Sequence, residues 1–415
     1  MKIFKFGGAS VKDANGVKNV LQVLMHEGYQ NTLIVISAMG KMTNAFEKII
    51  DSYYHKTEDL NQNIEFVKNY HLEITTNLFG DKNYQIFVEV EQLFAQLRKF
   101  LTTNKSTDYD FIYDQIVGYG ELLSTKIISA YLNENEIQNN WIDVREYIKT
   151  DANYRDAYVN WEQSSANISK LNPEKLYVTQ GFLSADHNNK TTTLGREGSD
   201  YTAAIFAYCL NAKHLTIWKD VEGVLNADPR FFNETQLLKQ ISYSEAIEMA
   251  FYGASVIHPK TLKPLENKNI PLYVRSFFHL DLSGTMVCKG LNLIPETPCL
   301  ILKQNQILIS ISALDFSFMV EHNLSELFKI LHNYKLKVNL IQNSALSFSV
   351  CIEDKYNNFK QFLSEVKLKY KISYLENVSL YTIRHANQKV VDSIEQKGLV
   401  LLKQATKGTV QVVMQ

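Results

Sequence analysis

The sequence predicts an α/β protein: a three-layer α/β/α domain with a mostly parallel sheet, followed by two smaller ferredoxin-like α+β modules. Two observations carry that expectation. Up to about residue 290, apolar strand-like runs alternate with helix-like periods, the grammar of βαβ units. After Met286 the rhythm changes: Pro295 and Pro298 mark a connector, and short strands and short helices follow.

Taken in order, Lys2 to Phe6 reads as an apolar strand, Ala14 to His26 as an amphipathic helix, and Thr32 to Ser37 as a second buried strand. A helix follows from about Thr43. Residues 58–104 are polar, helix-forming and dotted with aromatics, which predicts an inserted helical lobe. Glu121 to Leu132 is helix-like, while Asn139 to Val144, Leu176 to Gln180 and His214 to Trp218 are strand-like. The sheet resumes near Pro271 to Val274. Beyond the connector, Gln306 to Ser312, Leu324 to His332, Leu336 to Ile341, Ser347 to Glu353, Asn357 to Leu368 and Ile372 to Glu376 read as βαββαβ. Val378 to Arg384, Asn387 to Ile394, Leu399 to Lys403 and Gly408 to Met414 give a shorter βαββ. The expected division is 1–290, 291–304 as connector and missing strand of the last module, 305–376 and 377–415.

Composition narrows the function classes. With 43 basic against 44 acidic residues in 415, the chain is nearly neutral, so neither nucleic acid nor a membrane surface is an expected partner. Cys209, Cys288, Cys299 and Cys351 are scattered without a CxxC pair, and the chain opens directly on a strand. A soluble protein of a reducing cytoplasm is expected, with no signal peptide and no cysteine metal site. No uninterrupted run of about 18 apolar residues predicts a membrane span.

The most informative segment is Thr191 to Asp200, TTTLGREGSD. A β-branched strand runs into Gly195 and Gly198, and Ser199 or Asp200 is placed to cap the helix that follows. Unpaired N–H groups beside the Arg196 guanidinium make a seat for a small anion. Lys5-Phe6-Gly7-Gly8-Ala9-Ser10 offers a second such seat, since a lysine ends strand one and two glycines let the backbone approach a ligand; the GKS/T ending of a Walker A loop is absent. Ser37 to Asn44 leaves a strand through small and hydroxyl residues, and Lys219 to Arg230 leaves another through Gly223 and Asp228-Pro229. Tyr252 to Lys260 brings Ser255 and Lys260 after a helix, with His258 read as structural before Pro259. Loops at the carboxyl ends of parallel strands are where open α/β sheets bind ligands.

In order, KFGGAS, VISAMGKMTN, GYGELLS from Gly118, TQGF from Thr179, TTLGREGSDYTA, KDVEGVLNADPR and YGASVIHPKT resemble the aspartate kinase branch of the amino acid kinase family across essentially the whole chain. The resemblance implies a kinase domain followed by two ACT modules. It also implies transfer of the γ-phosphoryl group of ATP, carried with Mg²⁺ held mainly by the phosphates, to the side-chain carboxylate of L-aspartate. An aspartate side chain, with a reference pKa of about 3.9, is already ionised and needs no general base, so positioning and charge neutralisation supply the catalysis.

By the same resemblance Lys5, Gly7, Gly8 and Asp200 serve the phosphoryl transfer. Arg196 holds the α-carboxylate of aspartate, Glu121 its ammonium, and Ser37, Thr43 and Ser199 donate hydrogen bonds. Lys5, Gly8, Lys219, Asp220, Leu225, Asp228, Arg230, Ser255 and Lys260 belong to the nucleotide side. Family members often carry Thr at Ala9 and Lys219, Tyr at Leu225 and Lys at Ser255; Lys219 or Lys260 is expected to replace the last cation. Met319, Leu324, Asn339 and Ser344 match places where relatives bind lysine or threonine as effector, although Asn339 and Ala345 stand where carboxylates are common. A homodimer or dimer of dimers through the ACT modules is expected. Length leaves no room for a fused homoserine dehydrogenase, and GREGSD with an ACT-like tail argues against another small carboxylate as substrate. A non-catalytic amino-acid sensor is the alternative from a different class.

Overall fold

The computed structural model describes residues 1–80, 83–254, 257–315 and 317–415. They form two compact units: 1–224 with 237–247 and 256–294, and 225–236 with 248–255 and 295–415.

The strands up to residue 290 are β1 (Lys2–Phe6), β2 (Thr32–Ile36), β3 (Asn140–Ile142), β4 (Tyr177–Gln180), β5 (Leu183–Ala185), β6 (Thr191–Thr193), β7 (Leu215–Lys219), β8 (Val224–Leu225), β9 (Leu237–Leu238), β10 (Gln240–Ser242), β11 (Leu272–Ser276) and β12 (Thr285–Cys288). Eight of them make the sheet of the first unit, in the order β10-β12-β11-β7-β1-β2-β4-β3. Every pairing in it is parallel except β11 with β12. Phe4 and Phe6 of β1 and every residue of β2 and β4 are buried, so the apolar runs of the sequence are strands covered on both faces. Thr191–Thr193 departs from the simple alternation: it pairs antiparallel with β5, outside the main sheet.

The helix Ala14–Glu27 starts where Asp13 accepts the Gly16 N–H, and it ends at Gly28, whose φ of 75° stops the helix. It buries Val17, Val20, Val23 and Leu24, one face at helical spacing. The helix Gly198–Cys209 packs on β1, β2 and β7 and is buried on nearly all sides. Phe206 is wholly buried there, and truncating it to alanine should cost about 3–5 kcal/mol. The lobe at 58–104 is two helices, Leu60–Phe79 and Gln85–Thr103. Among the described residues no helix is long and apolar enough to cross a membrane.

In the second unit β13 (Cys299–Ala313), β14 (Lys337–Asn343), β15 (Ser347–Glu353), β16 (Tyr370–Arg384), β17 (Val400–Thr406) and β18 (Thr409–Met414) form one antiparallel sheet. Its order is β14-β15-β13-β16-β18-β17, with helices Glu321–Asn333, Phe359–Val366 and Gln388–Glu395. The sequence separates Ile372–Glu376 from Val378–Arg384, whereas the structure runs both into β16. It also joins Cys299–Lys303 to Gln306–Ser312 as β13. The pairing of β13 with β16 shifts register between Lys303, Gln306 and Leu308, and Asn305 and Asn377 take positive φ there. Asparagine tolerates that conformation, so a bulge absorbs the break without ending either strand. Two βαβ-type modules therefore share a single sheet, with separate cores around Ile309, Phe348 and Phe362 and around Ile383, Ile394 and Val412.

Candidate active site

Lys5 stands near the carboxyl end of β1, paired in register with Val35 of β2 and Ile217 of β7. Its Nζ lies 2.6 Å from Oδ1 of Asp200, and the two side chains are only 10% and 5% exposed. Asp200 occupies the first turn of the helix Gly198–Cys209, where the backbone dipole favours a negative charge. The residue flanking that helix is Glu197, so neither Ser199 nor Asp200 caps it. Both lie within its first turn, and the Asp200 side chain is given to Lys5 instead.

Around this pair opens a cleft of about 240 Å³. Ser37 reaches it from the loop after β2, Thr43 from the first turn of the helix Met42–His55 and Glu121 from the first turn of the helix Tyr119–Glu134; Gly195 comes from the turn after β6, and Gly198 and Ser199 from the start of the helix Gly198–Cys209. The loops are held together by backbone. The Gly40 N–H donates to the Gly8 carbonyl at 2.9 Å, and a Cβ on Gly8 would lie 2.7 Å from the Gly40 oxygen and 2.8 Å from that of Ala38. A Cβ on Gly7 would meet only the Lys5 ammonium, at 3.3 Å. The two glycines thus serve different ends: Gly8 lets two loops touch, and Gly7 keeps space around the lysine head.

Glu121 is the most perturbed group of the cleft. It is 2% exposed, Oε1 accepts the Ala38 N–H at 3.4 Å, and Oε2 is buried without a hydrogen-bond partner. Burial pushes its pKa up to about 8. The rise from 4.5 corresponds to a desolvation penalty on the order of 5 kcal/mol, larger than the ~2 kcal/mol that a helix N-terminus offers at most. An exposed helix-cap glutamate is excluded. What this carboxylate lacks is a cationic donor, and a ligand ammonium would supply one.

Other sequence-predicted residues are placed differently. Arg196 is exposed and does not line the cleft. Lys219 ends β7, with Asp220 directly after it. Leu225, Asp228 and Arg230 belong to the second unit. There the Arg230 guanidinium grips Asp228 at 2.6 Å and holds that carboxyl below its usual range. Ser255 lies outside the described residues. Lys260 donates to Asp156 Oδ1 at 2.6 Å and to the Leu194 carbonyl at 3.1 Å, beside the GREGSD turn, and His258 caps its helix by accepting the Lys260 N–H. Of the effector positions, the Met319 N–H donates to the Ala345 carbonyl, Leu324 packs against the first core and Ser344 bonds Ser347. Asn339 instead accepts from Lys303 at 2.8 Å and donates to Gln306 at 2.7 Å.

Two cleft residues escape the sequence reading, Phe182 and Glu197. Both sit inside the quoted motifs TQGF and GREGSD, so the one signal for them is position within those motifs. Among the described residues there is no cluster of three or more His, Cys, Asp or Glu side chains able to hold a metal ion.

The chain belongs to the amino acid kinase family, whose family description matches residues 1–276. Its branch within that family is that of the aspartokinases. It is 30% identical to the lysine-sensitive aspartokinase 3 of Escherichia coli K12, over 82% of this chain and 75% of that one. The aspartokinase of Chlamydia trachomatis is also 30% identical, over 74% of this chain and 69% of its own. The chain spans about a third of the length of the bifunctional aspartokinase/homoserine dehydrogenases it matches, such as that of Arabidopsis thaliana, at 32% identity over 69% of this chain and 32% of the relative. The solved structure of E. coli aspartokinase III in complex with lysine and aspartate superposes with a TM-score of 0.83 at 27% identity, covering 100% of this chain and 96% of that one.

Proposed function

We propose that the chain is an aspartate kinase that transfers the γ-phosphoryl group of ATP to the side-chain carboxylate of L-aspartate. The product is 4-phospho-L-aspartate, the first step toward lysine, threonine and methionine. One observation carries the reading: the cleft sets a lysine ammonium beside Asp200 while Glu121, buried with an unpartnered oxygen, waits for a cation. An amino acid with a second carboxylate answers both. E. coli aspartokinase III has been solved with aspartate and ADP, which supports the same pair of substrates here.

In this reading the aspartate carboxylate is itself the nucleophile, and no base is required. Lys5 neutralises charge on the transferring group, and Asp200 fixes where the ammonium points. Glu121 takes the α-ammonium, Ser37, Thr43 and Ser199 hydrogen-bond the substrate, and Arg196 swings in from solvent to the α-carboxylate. Lys219 and Asp220 serve the nucleotide, with Mg²⁺ arriving on its phosphates. The second unit is read as a pair of ACT modules that joins protomers as a dimer or a dimer of dimers. Lysine or threonine is its effector, lysine being supported by the complex of E. coli aspartokinase III. Four unbridged cysteines suit a cytoplasmic setting.

The test is aspartate-dependent ADP release from purified protein supplied with Mg²⁺ and ATP, repeated with lysine, threonine and methionine. Release that depends on aspartate supports the kinase; its absence leaves a non-catalytic amino-acid sensor.

A further inference from the structure

Glu197 combines three properties that a passive loop residue would not. It is held at φ 54°, a left-handed conformation that glycine adopts freely and a long side chain resists. Its side chain lines the same cleft as Lys5 and Glu121. Its Oε2 is buried and makes no hydrogen bond. Strain and an orphaned acceptor at one residue point to a use that neither local geometry nor stability explains.

Charge says what that use is. Lys5 and Asp200 neutralise each other at 2.6 Å, so among the described residues the remaining carboxylates of the cleft, Glu121 and Glu197, have no cationic side chain paired with them. Among the described residues no cluster of three such groups forms a metal cage. Once Glu121 is ionised, this lining would repel a substrate bearing two carboxylates unless its own cation met it. An α-ammonium carries three N–H donors, more than Glu121 Oε2 alone can accept.

We propose that Glu197 is a specificity-determining residue that, with Glu121, receives the α-ammonium of the amino-acid substrate. The proposal rests on the aspartate kinase reading and deepens it. Glu197 makes the cleft select an amino acid over a dicarboxylate of the same length that lacks the ammonium. Because it adjoins Arg196, the same turn would present opposite charges to the ammonium and to the α-carboxylate, fixing the handedness of the substrate.

Glu197→Gln keeps size and removes charge, and Glu197→Gly relieves the positive φ, so a folding defect is not expected in the second variant. With the full chain, both should raise the KM for aspartate and the Kd for aspartate by calorimetry about 10- to 100-fold, the range for one charge-assisted hydrogen bond. The KM for ATP should stay unchanged, and the preference for aspartate over succinate should narrow by a similar factor. An altered KM for ATP or an altered Mg²⁺ requirement, with aspartate affinity intact, overturns the proposal by assigning Glu197 to the nucleotide. Unchanged constants in both variants overturn it too. Wild-type protein that shows no aspartate-dependent turnover instead removes the kinase reading itself, which separates the two failures.

Discussion

Lys5 and Asp200 form a buried ion pair, Nζ to Oδ1 at 2.6 Å, in which the end of β1 meets the first turn of the helix Gly198–Cys209. A pair so enclosed is more costly half-broken than absent, because the surviving charge stays out of water: removing one partner costs about 3–5 kcal/mol. Lys5→Ala should therefore abolish aspartate-dependent turnover and lower stability together. Lys5→Ala combined with Asp200→Ala should recover part of the stability and none of the turnover. Urea unfolding curves alongside ADP release measure both, and a double variant less stable than either single one would count against the pair.

Glu121 makes the empty protein and the binding of its ligand respond to pH in opposite directions. Its pKa is about 8 in the folded protein and near 4.5 in the unfolded chain, so between those values the folded state holds a proton that the unfolded state has lost. Stability of the empty protein should then be full below about pH 4.5 from this group and fall as pH rises toward 8. An incoming ammonium requires the ionised form. Aspartate affinity should consequently rise by up to about tenfold per pH unit below 8, with one proton released on binding. Glu121→Gln should flatten both profiles and raise the KM for aspartate about 10- to 100-fold. Calorimetry in two buffers of different ionisation enthalpy reads the proton directly; no proton release at pH 7 would refute the assignment.

The fold and the core of the cleft are legible in the sequence because they rest on local signals. Buried strands such as Thr32–Ile36 announce themselves as apolar runs; Gly7 and Gly8 directly follow β1 and Ser37 directly follows β2, while Thr43 and Ser199 start the helices beyond the loops. What the sequence hides depends on distance or on backbone sign. The fusion of Ile372–Glu376 with Val378–Arg384 into β16 needs positive φ at Asn377, which composition does not reveal. Glu197 stays hidden because a glutamate between Arg196 and Gly198 reads as a solvated loop side chain until its φ and its orphaned oxygen are known. Lys260 pairs across 104 residues with Asp156, a contact that no spacing rule encodes.

The two glycines of KFGGAS should fail differently. At Gly8 a methyl would press on the backbone oxygens of Gly40 and Ala38, neither of which can rotate away, so Gly8→Ala should separate the loops and lower both the melting temperature and turnover. At Gly7 the only close atom is the Lys5 Nζ, the far end of a flexible side chain. Gly7→Ala should keep the melting temperature within about 2 °C, since a surface-scale change of under about 0.5 kcal/mol moves it little, while lowering kcat through a displaced ammonium. Thermal melts and kcat for the two variants, compared side by side, test the distinction; equal losses of melting temperature would erase it.

Lys260 offers a choice between two roles that a single variant resolves. Resemblance assigns it to the nucleotide, yet its ammonium is bound to the Asp156 carboxylate at 2.6 Å and to the Leu194 carbonyl at 3.1 Å, next to Gly195 of the cleft. The ion pair itself is weak, because Asp156 is 63% exposed and a surface pair is worth only about 0.2–1 kcal/mol. The bond to the carbonyl matters more, since it fixes the chain just before Gly195, whose positive φ of 76° begins the turn carrying Arg196 and Glu197. Loosening that point should misplace the aspartate-side groups while leaving the phosphate side alone. Lys260→Ala should thus raise the KM for aspartate about two- to tenfold, a loss of about 0.4–1.4 kcal/mol, with the KM for ATP unchanged. A selective rise in the KM for ATP would instead give Lys260 to the nucleotide, and the Leu194 contact would then be incidental.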